Sequence, residues 1–250
     1  MKNSAMPEAV NLSKNAPEQV KSYLLEVFEA VVQKDIKTRA HIYNSENFEN
    51  VAKFAFDSTG SFVSPKSIAD TFNAGRKKGE VVISHNTVAA YLEHLATAFT
   101  LYRADRYDIK GKQRLKTQQK YYAIDLGLKD ALTGGNDEKK SRGRRLENIV
   151  FFELLRRNYG EVWVGKQDNL EVDFVVQNGA GDRSYYQVAW AIEDDDTRER
   201  ELAPLRKIDD NYPKFLISTD YGSGSIEGIQ LLDAVDWLLN PPATSHSPQR

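Results

Sequence analysis

The chain has 250 residues, 40% hydrophobic and 28% charged, with a net charge of −2, the balance of a folded protein long enough for two ordinary cores. It holds no cysteine and four histidines, so disulfides, cysteine-zinc centres and cysteine nucleophiles are excluded, and any metal would need carboxylates. No apolar run approaches the roughly 18 residues of a membrane span, and Met1 to Val10 lacks the basic-then-apolar order of a secretion signal, so a cytoplasmic protein with no membrane partner is expected.

Residues 1–16 carry little periodicity. After Pro17 and Glu18, the spacing of Val20, Leu24, Val27, Phe28, Val31 and Val32 predicts an amphipathic helix. A second helical pattern runs through Phe48, Val51, Ala52, Phe54, Ala55 and Phe56 to about Gly60. Ser64 followed by Pro65 predicts a third helix start, because serine caps free amides and proline at the first turn forfeits no hydrogen bond. Gly75 to Gly79 is a basic loop, and Ser84 is placed to cap a helix carrying Val88, Tyr91, Leu92 and Leu95. Phe99 to Tyr107 and Lys116 to Ile124 read as strands around a turn at Lys110, Gly111 and Lys112. Three helices and a hairpin are the order of a winged helix, with Ser84 to Leu95 as recognition helix and the hairpin as wing.

The wing is basic. Arg103, Arg106, Lys110, Lys112, Arg114, Lys116 and Lys120 face only Asp105 and Asp108, and the first six are the expected phosphate contacts of a DNA-binding protein. Lysines that merely keep a strand edge soluble are the plainer account.

Gly134, Gly135 and the charged stretch Asn136 to Arg145 read as a linker, with Arg142 to Arg145 open to assignment to the next helix, which places a boundary near residues 130–142. Beyond it come a helix with Leu146, Ile149, Val150, Leu154 and Leu155, strands over Val162–Lys166, Val172–Gln177 and Ser184–Ile192, a helix over Arg198–Ile208, a strand over Lys214–Ser218 and a last helix over Ile229–Leu239. The fold class is therefore α/β (α+β), a helical and winged-helix module followed by a mixed sheet flanked by helices. The expected division is a helical stretch at 1–60, a winged-helix-like domain at 61–130, an α/β domain at 142–240 and a disordered tail at 241–250.

The sharpest local chemistry is Glu171-Val172-Asp173-Phe174-Val175, where strand alternation puts Glu171 and Asp173 on one face. Gln187, on the next strand, is placed to lie beside Asp173, and Glu147 on the preceding helix is a third candidate. A solvated strand face for the acids, and an amide serving backbone groups for Gln187, are the competing accounts. Gly60 to Ser67, GSFVSPKS, falls short of a phosphate loop, since Pro65 stands where the second glycine should be and offers no amide.

Helix Glu, second-strand Asp and third-strand Gln resemble the metal-binding pattern of the PD-(D/E)xK nuclease superfamily. That resemblance implies Mg²⁺ held by Glu147, Asp173 and Gln187, with a lysine two residues beyond the glutamine to activate water. Ala189 stands at that position, and Lys166 is the candidate replacement from a neighbouring strand. A broader set is Met6-Pro7-Glu8-Ala9-Val10, Lys120 to Gly127, Arg144 to Asn148, Glu171 to Phe174 and Arg200-Glu201-Leu202. It resembles the C-terminal region (domain of unknown function 4143) of prokaryotic AAA-type ATPases. The resemblance implies a winged helix, a nuclease-like core and an ATPase partner. The leading expectation is thus a DNA-associated, catalytically degenerate nuclease-like module; a Mg²⁺-dependent DNA nuclease and a protein-interaction module anchored by Tyr102, Tyr107 and Trp163 are the alternatives.

Overall fold

The computed structural model describes residues 4–40, 42, 44–75, 82–135, 138–157 and 160–240. It divides into two units, the first made of residues up to Asp105 with Lys116–Asn148, the second of Arg106–Leu115 with the chain from Ile149 on. Helices and a mixed sheet together make an α+β protein, the class the patterning indicated. No described helix is long and apolar enough to cross a membrane.

In the first unit, α1 (Pro7–Asn15) and α2 (Val20–Val31) precede a π-helical turn at Val32–Ile36 and a short α3 (Lys37–Arg39). Then come α4 (Ser45–Asp57), β1 (Phe62–Val63), α5 (Pro65–Asn73), α6 (His85–Thr97), the hairpin strands β2 (Leu101–Asp108) and β3 (Gln113–Ala123), and α7 (Leu126–Thr133). Helix starts follow side chains that accept free amides: Asn44 from Asn47, Ser84 from Thr87, and Ser64 in a reciprocal capping box with Ser67. β1 lies antiparallel to β3, with Phe62 opposite Lys120, and helix, short strand, two helices and hairpin follow one another along the chain. The core joins Leu24, Phe28, Phe48, Phe56, Ile68 and Leu92, with Phe48 edge-on to Tyr91 at 5.2 Å. The basic loop 76–81 lies outside the described residues.

Two helices escape the periodicity argument. α1 buries only Ala9, so no apolar stripe marks it. α7 is announced instead by its cap: Asp125 accepts the Leu128 N–H at 2.7 Å, and its other oxygen takes the Ser4 hydroxyl and the Ala5 N–H. Gly134, at φ +83°, closes it in the left-handed conformation that favours glycine. The stretch read as linker is helical from Glu138, where α8 (Glu138–Arg157) begins; its glutamate, lysines and arginines are good helix formers.

In the second unit, β4 (Glu161–Gln167), β5 (Leu170–Gln177) and β6 (Arg183–Val188) form an antiparallel meander, and α9 (Asp195–Arg206) leads to β7 (Lys214–Ser218), parallel to β6. Ile229–Leu239, read from sequence as one helix, is β9 (Ile229–Asp233) followed by α10 (Ala234–Leu239). Ile229 and Leu231 are buried while Gln230 is exposed, a period of two that pairs β9 parallel to β7 and antiparallel to β8 (Gly224–Ile226). On the other side of β4, the last residues of β2 run parallel to it, with Tyr107 opposite Gly165, and the Ile109 N–H donates to the Lys166 carbonyl at 2.9 Å.

The alternation expected along 171–176 is broken. The β4–β5 register shifts between Trp163 and Gly165, so Val172 and Val175, three apart, share one core with Tyr185 and Leu216. Phe174 instead packs on Phe151 of α8 at 5.9 Å. Gly165 serves this irregularity, because a Cβ there would come within 2.9 Å of both Val172 and Val175.

Candidate nucleic-acid interface

The three residues read as metal ligands are placed differently. Glu147, only 8% exposed, lies in the first unit, where its Oε1 accepts Lys120 Nζ at 2.8 Å and the Tyr122 hydroxyl at 2.7 Å. Lys120 and Tyr122 are two apart on β3 and share a face, so the strand presents both to one carboxylate. Lys120 also lies 5.3 Å from the Phe62 ring centre, and Asn148, next in α8, clasps both the N–H and the carbonyl of Ala123. The carboxylate thus balances a buried ammonium.

Asp173 and Gln187 do come together, in the second unit. Phe174 opposite Tyr186 is the pair nearest this end of the β5–β6 ladder, and side chains carry it on: Asp173 Oδ2 accepts the Val188 N–H at 2.8 Å, while Gln187 Oε1 accepts the Asp173 N–H at 3.3 Å. Gln187 Nε2 then donates to Glu201 of α9 at 3.1 Å. Glu201, midway along α9, is the member of this cluster that sequence reading did not assign to it. Lys166 stands opposite Glu171 across β4 and β5. Among the described residues, no three Asp, Glu or His side chains gather where they could hold a metal ion.

The basic hairpin is largely balanced. Arg103 lies 3.3 Å from both Glu93 and Asp105, Lys110 lies 3.3 Å from Asp168, and Arg114 pairs with Glu161 while its guanidinium sits 4.9 Å over the Trp163 ring. Arg106 is half-buried and Lys112 exposed; the Lys116 side chain lies outside what is described. Tyr107 and Trp163, expected as exposed anchors, are 3% and 5% exposed and stack on each other at 4.9 Å, because the β2–β4 pairing covers them. Nearby, burial pushes the Tyr121 hydroxyl up to about 12, against the lowering influence of Arg103.

The outward face of α6 is different. Ser84 caps it, and His85, Asn86, Ala89 and Ala90 are exposed over its first turns, while Val88, Tyr91, Leu92 and Leu95 hold the opposite side in the core. Two small and two hydrogen-bonding residues leave the helix able to approach a surface closely.

A family model described as "Domain of unknown function (DUF8612)" matches residues 3–139, more than half of the chain. This overturns the resemblance to the C-terminal region of AAA-type ATPases: its motifs are short and scattered, and the family that matches is another one. The ATPase partner inferred from it loses its basis. Among curated proteins, an "Uncharacterized protein" of Haemophilus influenzae is 39% identical over 226 residues, covering 90% of this chain and 54% of the relative. "Uncharacterized protein MJ1544" of Methanocaldococcus jannaschii is 26% identical over 190 residues, covering 75% of this chain and 40% of the relative. The chain thus spans about half the length, or less, of these relatives. No solved structure matches it.

Proposed function

We propose that the chain, which belongs to the family whose model covers its residues 3–139, is a DNA-associated module that binds without cutting. The observation that carries this reading is the outward face of α6, where His85 and Asn86 stand at the capped N-terminal end and Ala89 and Ala90 leave room for a groove wall. In helix-turn-helix recognition the N-terminal residues of the second helix meet base edges, and an asparagine can bond an adenine edge at two points. The hairpin cations contribute less, since Arg103, Lys110 and Arg114 already have carboxylate partners. The absence of cutting rests on the acidic residues: Glu147 is bonded to Lys120 and Tyr122, and Asp173 to the β6 backbone.

A fluorescence-anisotropy titration of labelled duplex DNA, at two salt concentrations and with or without Mg²⁺, tests the reading. Expected are binding at low salt, a shallow salt slope of about two to three because few phosphates are neutralised, and intact DNA in every arm. Asn86→Ala should weaken the preferred sequence by about 1–3 kcal/mol. Salt-insensitive binding, or none at low salt, overturns the reading; Mg²⁺-dependent cutting that Asp173→Ala abolishes replaces it with a nuclease.

A further inference from the structure

In the second unit, a cavity of about 450 Å³ lies between the hairpin tip and the end of α9. Three cations line it with no carboxylate partner among the described residues: Lys112 of the turn, Lys207 just after α9 and Arg183 at the start of β6. Both lysines are exposed, while Arg183 is steadied by Gln177 Oε1 at 3.2 Å and lies 5.1 Å over the Tyr107 ring. The lining acids are mostly spent. Asp168 has Lys110 at 3.3 Å, and Asp210 accepts the Tyr185 hydroxyl at 2.6 Å and lies 3.4 Å from Lys214. Asp209, exposed, is the lining carboxylate with no cation beside it among the described residues. Three free cations against one free carboxylate leave a surplus of two positive charges, close to the charge of about −1.5 to −2 that a phosphate monoester carries near pH 7.

Charge alone would suit any dianion, and the acceptors on the same walls narrow the choice. Gln167, 7% exposed, lines the cavity, gives its Nε2 to the Lys207 carbonyl at 2.8 Å and leaves its Oε1 with no donor among the described residues. Buried polar atoms nearly always have partners, so an orphaned acceptor at this wall points to a ligand that brings hydrogen-bond donors. Asp209 offers a second acceptor. The volume falls in the range of about 300–1,000 Å³ usual for small-molecule sites, and a phosphate alone would occupy little of it. Tyr212 is the single aromatic side chain in the lining, so no pair of rings is present to hold a base. Cations and oxygen acceptors together match a phosphate joined to a body rich in hydroxyl groups.

We propose that this cavity binds a phosphorylated sugar, with the phosphate at Lys112, Lys207 and Arg183 and the sugar hydroxyls at Asp209 and Gln167. The lysines receive the phosphate as point charges and the guanidinium receives it as a planar fork. Such a group occurs as a free sugar phosphate and as the 5′ end of a nucleic-acid strand. The site belongs to the second unit and does not rest on the α6 face of the first, so either reading can fail alone.

The test is calorimetric titration of the full chain at low ionic strength with ribose 5-phosphate, ribose, inorganic phosphate, and a short single-stranded oligonucleotide with and without a 5′-phosphate. Ribose 5-phosphate should bind more tightly than ribose or phosphate. Lys112→Glu combined with Lys207→Glu should weaken it about tenfold or more, and circular dichroism verifies the fold. Should the reversal disturb the fold, Lys112→Gln with Lys207→Gln reads the same loss at smaller size. Asp209→Ala should narrow the preference for ribose 5-phosphate over inorganic phosphate, because it removes an acceptor of hydroxyl groups. A strand bound more tightly with its 5′-phosphate than without identifies a strand end as the source, and equal affinities assign the site to the free sugar phosphate. Inorganic phosphate bound as tightly as ribose 5-phosphate, an unchanged preference in Asp209→Ala, indifference to both lysine pairs in a folded protein, or no binding at millimolar ligand would each overturn the proposal.

Discussion

In the first unit Glu147 meets a full ammonium, whereas in the second Asp173 meets amide N–H donors at the end of a β ladder. Both carboxylates are less than a tenth exposed and both were read as metal ligands, yet their surroundings give them different tasks. Glu147 offsets a charge that could not otherwise stay buried, and Asp173 supplies the acceptor that a parting strand no longer provides. The contrast teaches that a buried acid is defined by its donor. Removing one partner of a buried ion pair strands the other charge, while removing an acceptor strands only a dipole.

That difference can be measured. The largest effect is expected for Glu147→Ala, about 3–5 kcal/mol in denaturant unfolding, because Lys120 would remain buried without its counter-charge. The double change Glu147→Leu with Lys120→Met should recover much of this loss, and a single-variant cost below about 1 kcal/mol would erase the contrast. Asp173→Ala should cost about 1–3 kcal/mol by leaving the Val188 N–H unpaired, with Asp173→Asn milder because it keeps an acceptor. A loss for Asp173→Ala as large as that for Glu147→Ala would mean that a stranded dipole is as costly here as a stranded charge. Asp125→Ala comes next, about 1–2 kcal/mol, since it removes both the α7 cap and the tie to Ser4 and Ala5.

The smallest effect is one of pH. Burial on its own would raise the Glu153 carboxyl, but bonds and charge from Arg156 and Arg157 prevail and hold it below the usual range. A depressed folded-state value stabilises the protein above the unfolded value of about 4.3 and ceases to do so as pH falls through the folded one. Thermal melts between about pH 5 and pH 3 should therefore fall less steeply for Glu153→Gln than for the parent chain. Equal slopes would show that the arginine pairs do not couple to stability.

Local physics made much of the first unit readable. Apolar residues at helical spacing located α2, α4 and α6, and Ser64-Pro65 marked the start of α5 through its capping box. α1 was invisible because Ala9 is its whole buried face, and β9 was mistaken for helix because Ile229, Leu231 and Leu232 satisfy either period over so short a run. In the candidate site, the neighbourhood of Asp173 and Gln187 follows from two strands in succession. The Lys120 and Tyr122 contacts of Glu147 were not foreseen, although their spacing of two on β3 would have placed them on one face.

By itself, then, the sequence determined the elements whose signals lie within a few residues: caps, stripes, strand alternation and the hairpin turn. Tertiary structure alone decided which charges far apart along the chain meet. It balanced Arg103, Lys110 and Arg114 with acids up to 58 residues away, buried Tyr107 against Trp163, and brought Lys112 and Lys207 to one cavity. The physical reason is range: a cap or a turn is satisfied by its neighbours along the chain, whereas a charge is satisfied by whatever the folded chain brings within about 4 Å.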